Sequence, residues 1–92
     1  MLTLTHHAQA RLQQRGIPAL VIESLLDYGR EEYDHRGSRV VYFDHRAREE
    51  LRRVVSNEAY KRMERHLDAY AVVALDGEIV TVGHRCRRIN RH

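Results

Sequence analysis

The sequence predicts one α+β domain, in which two N-terminal helices pack on an antiparallel sheet of about four strands and an extra helix is inserted between strands. Three observations indicate this architecture. Two capped helical segments open the chain, a charged segment without Gly or Pro covers 45–66, and Asp76-Gly77 separates two apolar, strand-like runs. With 92 residues, of which 42% are hydrophobic, the chain can form one core and therefore one domain over 1–92.

The two N-terminal helices are indicated by capping residues and by apolar periodicity. Thr5 is suited to cap a helix over 6–15, and Gly16 is suited to end it. Pro18 fits the first turn of a second helix, which ends near Tyr28-Gly29. The apolar positions of this second helix recur at helical spacing: Val21, Ile22, Leu25, Leu26 and Tyr28. We therefore expect it to supply the main apolar face against the sheet.

The middle of the chain contains two strand candidates and the helical insertion. Residues 30–35 form a weak strand candidate, and a turn follows at Arg36-Gly37. Residues 38–44 are rich in Val and aromatic residues, which favour strands. Residues 45–66 then predict a solvated helix with charges of alternating sign, interrupted near Ser56-Asn57.

The hairpin over 68–85 is the best-specified element. A two-residue turn at Asp76-Gly77, which requires positive φ, determines its register. The resulting cross-strand pairs are Leu75–Glu78, Val73–Val80, Ala71–Val82 and Ala69–His84. One face then consists mainly of Val and Ala and is expected to face the core. The opposite face is a candidate binding surface and carries Tyr70, Val72, Thr81, Gly83 and Arg85.

Composition points to a polyanionic partner. The net charge is +3, and all basic side chains except Lys61 are arginines, which bind phosphate oxygens in a bidentate manner. A GC-rich genome would produce the same bias without selection for binding. Residues 84–92, however, contain four Arg, two His and no acidic residue, which is typical of nucleic-acid binding.

The same sequence bears on location and on cofactors. The single cysteine, Cys86, excludes an internal disulfide, no apolar run approaches the ~20 residues of a membrane helix, and no secretory signal opens the chain. A cytoplasmic protein without membrane contact is expected. The seven histidines lack metal-ligand spacing, and Gly-rich phosphate loops are absent, so neither a metal nor a cofactor is predicted.

Two clusters carry side chains suited to RNA chemistry. His7, Arg11 and Arg15 follow i, i+4, i+8 spacing and therefore line one edge of the first helix, where they could hold a phosphate beside an imidazole. Alternatively, they support the helix end and cover apolar surface with their stems. His84 ends the last strand and precedes Arg85, Arg87 and Arg88; the alternative is a solvated basic tail.

Three tyrosines are candidates for a further role. Tyr33, Tyr42 and Tyr70 fall in or beside predicted strands. They could stack on bases if they lie on the open face of the sheet. Alternatively, they are packing residues.

Two motifs resemble a known family. The first is His7-Ala8-x-x-Arg11-x-x-x-Arg15-Gly16-Ile17, followed by a helix; the second is Gly77-x-Ile79-Val80-Thr81-Val82, leading into His84-Arg85. Both resemble an uncharacterised bacterial domain family that is placed with the RelE-like toxins and barnase-type ribonucleases. The resemblance covers about 1–44 and 67–92, so that 45–66 is an insertion that could obstruct the usual substrate groove.

The resemblance implies metal-independent RNA cleavage by attack of the 2′-OH, as in a toxin-type endoribonuclease. It implies His7 and His84 as the acid and base, with Tyr42 as a further proton-transfer candidate. The implied phosphate ligands are Arg11, Arg15, Arg85, Arg87 and Arg88. A non-catalytic RNA- or ribosome-binding module and a protein-interaction domain that docks a partner on 45–66 remain open. An antitoxin protein and a homodimer are left open as partners.

Overall fold

The computed structural model describes residues 2–34 and 36–85. It confirms the α+β class, with two helices before the first strand and further helices between the second and third strands. The elements are α1 (His6–Arg15), α2 (Ala19–Tyr28), β1 (Arg30–Tyr33), β2 (Arg39–Tyr42), α3 (His45–Val54), α4 (Asn57–Met63), a 3-10 turn (Glu64–His66), β3 (Ala69–Val73) and β4 (Ile79–His84). Within the described residues, no helix combines the length and apolarity needed to cross a bilayer.

The predicted helix ends are confirmed with one small difference. Thr5 caps α1 by accepting a hydrogen bond from the Ala8 N–H at 3.1 Å, and Gly16 ends the helix with φ +63°. Pro18, however, is extended and occupies the cap position, so α2 begins at Ala19. Its φ of −67° is the one that its ring imposes in either position.

The four strands form an antiparallel meander in the order β1-β2-β3-β4. On one face, α1 packs against β4, and α2 packs against β2 and β3. The buried residues of that face are Val41, Ala69, Ala71, Val73, Ile79 and Val82. On the opposite face, the strand residues are exposed or only partly buried, apart from Gly83. We call this second surface the open face.

The hairpin loop has three residues, so the predicted two-residue turn is wrong. The Ala74 N–H donates to the Glu78 carbonyl at 2.8 Å, and Gly77 adopts φ +92°. The common three-residue loop is a type I turn followed by a left-handed glycine, and Asp-Gly suits it as well as the two-residue turn. Val73 therefore pairs with Ile79 instead of Val80, and Ile79 enters the core.

Val80 forms a β-bulge that restores the predicted register beyond it. Ala71 pairs with Val82 and Ala69 with His84, as expected. The bulge also anchors the start of α1, because the Thr5 hydroxyl donates to the Val80 carbonyl at 3.3 Å. A bulged residue has no ladder partner, so its carbonyl is available to such a bond.

Residues 45–66, which we call the insertion, pack on the core. The predicted interruption is confirmed: α3 ends at Val54, and the Ser56 hydroxyl caps α4 by accepting from the Ala59 N–H. Leu51 and Met63 are completely buried. The insertion is therefore held by apolar contacts on its inner side and not only by charge pairs along its surface.

Substitution of Leu51 tests how firmly the insertion is held. Leu51→Ala should lower the free energy of unfolding by about 2–5 kcal/mol, because it leaves a cavity under α3. Val54, on the same helix, is 51% exposed. Val54→Ala should therefore change the free energy of unfolding by less than about 0.5 kcal/mol. Urea unfolding followed by circular dichroism measures both. Equal effects would show that α3 is not docked on the core.

Candidate nucleic-acid interface

Tyr42 and Tyr70 are neighbours on the open face. Tyr42 pairs with Tyr70, and Tyr70 pairs with Gly83, so that the three residues form a row across β2, β3 and β4. A Cβ at Gly83 would lie 3.0 Å from Cε1 of Tyr70. Glycine at this position therefore gives the Tyr70 ring room over β4. The row places two tyrosines on neighbouring strands, where no helix of the described residues covers them.

The Tyr42 ring is held between charged partners. Its hydroxyl donates to Oε2 of Glu32 at 2.6 Å, and the guanidinium carbon of Arg85 lies 4.0 Å from its ring centroid. Glu32 also pairs with Arg30 at 3.7 Å. Such an arginine gains cation–π attraction and presents its flat outer surface to solvent.

The hydrogen bond to Glu32 raises the pKa of Tyr42 above its ordinary 10, with burial acting in the same direction and Arg85 and Arg30 opposing it. The phenol thus keeps its proton firmly. The raised pKa disfavours Tyr42 as a base, and its role in proton transfer stays a prediction.

His84 and His66 form an imidazole pair at the end of the sheet. Nδ1 of His66 and Nε2 of His84 are 3.3 Å apart, whereas the ring centroids are 5.5 Å apart and the ring planes differ by 20°. The nitrogens that meet are therefore on the facing edges of nearly parallel rings, which fits an edge-to-edge N–H···N hydrogen bond better than a face-to-face stack. Such a bond requires one nitrogen to be unprotonated.

The environment of His66 favours its neutral form. Burial lowers the pKa of His66 below its ordinary 6.5, and the charges of His84 and Arg65 act in the same direction, against a smaller opposing effect of Asp68. A neutral imidazole is a competent proton acceptor near neutral pH. Within the described residues, no three His, Cys, Asp or Glu side chains are grouped as metal ligands.

A cleft of about 240 Å³ connects the open face to the insertion at this end of the sheet. Tyr42 and Arg85 line one side of it, and Arg48 and Asp68 line the other. Arg48 is fixed by a hydrogen bond from its guanidinium to the Leu67 carbonyl at 3.0 Å. The remaining N–H groups of that guanidinium are a preorganised donor set for an anion.

The structure brings together some of the predicted site residues and not others. Tyr42 and Arg85 are in contact, and His84 lies at the same end of the sheet with its side chain on the core-facing side. Arg87 and Arg88 lie outside the described residues. Their assignment to phosphate stays a prediction.

The α1 cluster is placed differently. The chain before α1 pairs with Ile79 at the start of β4, whereas His84 ends that strand, roughly 16 Å further along at a strand rise of about 3.3 Å per residue. His7 and Arg15 are exposed, and Arg11 is half-buried with its Nε lacking a partner among the described residues. None of the three lines the clefts at the His84 end, and neither do His66 and His84 themselves.

Sequence reasoning missed His66, Arg48 and Asp68. His66 closes a charged segment, and nothing in the local pattern distinguishes it from a solvated histidine. Arg48 carries one weak signal, since it shares an edge of α3 with Arg52 at i, i+4 spacing. Their meeting with β4 is a long-range contact that only the folded chain shows.

Comparison with protein-family models, with curated proteins and with solved structures found no match for this chain. The resemblance to the RelE-like and barnase-type ribonucleases stays a prediction from the two motifs. The same holds for the ribosome, the antitoxin and the homodimer as partners.

The histidine pair makes a prediction about pH. The pKa of His66 is lowered on folding, so the unfolded chain binds more protons than the folded protein once the pH falls below 6.5. The folded protein therefore loses stability as the pH falls from 6.5 through the lowered folded-state pKa of His66. Asp44, whose pKa is lowered mainly by a hydrogen bond from the Ala47 N–H, acts in a separate window below 3.8. An NMR titration should place the His66 midpoint below 6.5, and His84→Ala should raise it. A midpoint at or above 6.5 would contradict the burial of His66, and an unchanged midpoint in His84→Ala would contradict the pair.

Proposed function

We propose that this domain binds single-stranded RNA through its open face. Two observations of the same surface support the proposal: Tyr42 and Tyr70 lie side by side, and Arg85 stacks on Tyr42. Exposed aromatic rings and guanidinium planes on an antiparallel sheet are surfaces on which unpaired bases stack. Bases would stack on Tyr70 and on the outer side of Arg85, whose N–H edge remains available for phosphate.

The preference for a single-stranded nucleic acid over other polyanions rests on the combination of charge and rings. Phosphate alone requires only cations, whereas the two tyrosines gain nothing from a ligand without a flat apolar group. The cytoplasmic location expected from the sequence, where RNA is abundant, fits this proposal.

Binding to a fluorescein-labelled oligouridylate, followed by anisotropy, tests the proposal. Tyr70→Ala should weaken binding by about 1–3 kcal/mol, or roughly 5- to 150-fold, because one stacked base is lost. Tyr42→Phe keeps the ring and should retain most of the affinity. Tyr33→Ala is the matched control. Tyr33 is an exposed strand tyrosine at the end of β1 that pairs with Arg39, away from Tyr42.

Two results would count against binding on the open face. One is an unchanged affinity for Tyr70→Ala protein that remains folded by circular dichroism. The other is a duplex of the same sequence that binds as tightly as the single strand, because paired bases cannot stack on the tyrosines.

A second candidate function, metal-independent RNA cleavage, is favoured by the His66–His84 pair. A neutral imidazole would take the 2′-OH proton as the O2′–P bond forms, and a protonated imidazole would give a proton to the leaving O5′ as the P–O5′ bond breaks. Arg48 and Arg85 would stabilise the additional charge on the phosphorane. This candidate gives His66 the role that the resemblance implies for His7. The two imidazoles, whose nitrogens are 3.3 Å apart, must separate to admit the scissile phosphate between them.

Digestion of structured RNA with EDTA present tests this candidate. Cleavage should persist, leave 2′,3′-cyclic phosphate ends, and fall by about 10²–10⁴-fold in His66→Ala or His84→Ala protein. His7→Ala should cleave normally. Loss of cleavage in His7→Ala but not in His66→Ala would restore the assignment implied by the resemblance, and an inactive wild type would leave RNA binding alone.

A further inference from the structure

Within the described residues, the excess of positive charge is located in the insertion. Residues 45–66 contain seven basic and four acidic side chains, a balance of +3, which equals the net charge of all 92 residues. The described residues outside the insertion contain six basic and nine acidic side chains, a balance of −3. Within the described part of the chain, a polyanion is therefore attracted to the insertion more than to the rest of the fold. Residues 86–92 add three further arginines to the sequence.

Within the insertion, a groove between α3 and α4 collects part of this charge. Its outer part, about 260 Å³, is lined by Arg52 from α3 and Lys61 from α4. Tyr60 lies between them, and the guanidinium carbon of Arg52 is 5.4 Å from its ring centroid. Glu64 is the carboxylate of this part. We call this feature the insertion groove.

The insertion groove continues toward the open face. Its inner part, about 340 Å³, is lined by Arg48 and Arg65 together with Tyr60, Glu64 and Asp68. Arg48 and Asp68 also line the cleft that contains Tyr42 and Arg85. A single extended ligand could therefore pass from the open face to the far end of α3 along adjoining clefts.

We infer that the insertion groove binds the sugar–phosphate backbone of a single-stranded RNA whose bases stack on the open face. The inference rests on the proposed RNA binding and adds to it a second contact surface. Arg48 connects the two contact surfaces, because it lines both the cleft at the open face and the inner part of the insertion groove. Its guanidinium is already oriented by the Leu67 carbonyl.

The path formed by these adjoining clefts favours a nucleic acid over an acidic protein segment. Stacking surfaces and cations alternate along it, from Tyr70 and Arg85 through Arg48 to Tyr60 and Arg52. An RNA strand carries both groups in each nucleotide, a base and a phosphate. The carboxylates Glu64 and Asp68 oppose either ligand, but an acidic peptide would gain nothing from the rings.

The test compares two double variants of the full chain. Arg52→Gln with Lys61→Gln removes the two outer cations of the groove. Arg53→Gln with Arg62→Gln removes the same charge one residue further along the same helices, from side chains that line neither part of the groove. The probe is the fluorescein-labelled oligouridylate, titrated over a range of salt concentrations, with folding checked by circular dichroism.

The groove variant should lose roughly 1.4 units of the slope of log affinity against log salt, at about 0.7 per phosphate contact on a single strand. The control variant should keep the wild-type slope. Equal slopes in wild type and groove variant would overturn the inference, as would equal losses in both variants, which would reflect net charge alone. Polyglutamate that competes as well as unlabelled oligouridylate would also overturn it and assign the groove to an acidic protein.

The two proposals fail in different ways. If Tyr70→Ala weakens binding and the groove variant keeps the wild-type slope, RNA binding stands and the second surface is rejected. If the wild type does not bind oligouridylate, or if Tyr70→Ala and Tyr42→Ala both bind like the wild type, the open-face proposal fails and the inference about the groove fails with it.

Discussion

The register between β3 and β4 is the constraint on which both faces of the sheet depend. Successive side chains of a strand alternate between faces, so a slip by one residue exchanges them. A three-residue loop without a bulge would place Thr81 opposite Ala71 and turn Val82 toward solvent. The unpaired Val80 compensates for the extra loop residue, so that Val82 faces the core and Gly83 lies beside Tyr70. Loop and bulge thus act together.

The same bulge connects the sheet to the first helix. Backbone hydrogen bonds join Thr3 and Thr5 to Ile79, and the Thr5 hydroxyl reaches the Val80 carbonyl. Because Thr5 also caps α1, one residue couples the start of the helix to the irregularity of the strand. This coupling fixes where α1 begins on the sheet, at the opposite end of β4 from His84.

Much of this architecture follows from local sequence. Thr5, Gly16 and Ser56 mark helix ends by mechanisms that act within a few residues, and the structure uses all three. The loop type does not follow, because Asp76-Gly77 is compatible with two loop lengths. The His66–His84 pair joins residues 18 apart through tertiary packing, and no spacing rule applies to it.

Charge placement explains why net charge is a poor guide to this protein. At physiological ionic strength, exposed charges are screened beyond about 8 Å. The described domain extends over 35 × 33 × 22 Å, so the excess of +3 in the insertion acts on its own groove and on the adjoining end of the sheet. The remaining described residues carry an excess of acidic groups, with Arg85 beside Tyr42 as a local exception. In the proposed complex, an RNA strand would therefore lay its backbone on the insertion and turn its bases toward Tyr42 and Tyr70, which is the orientation that adjoining clefts allow.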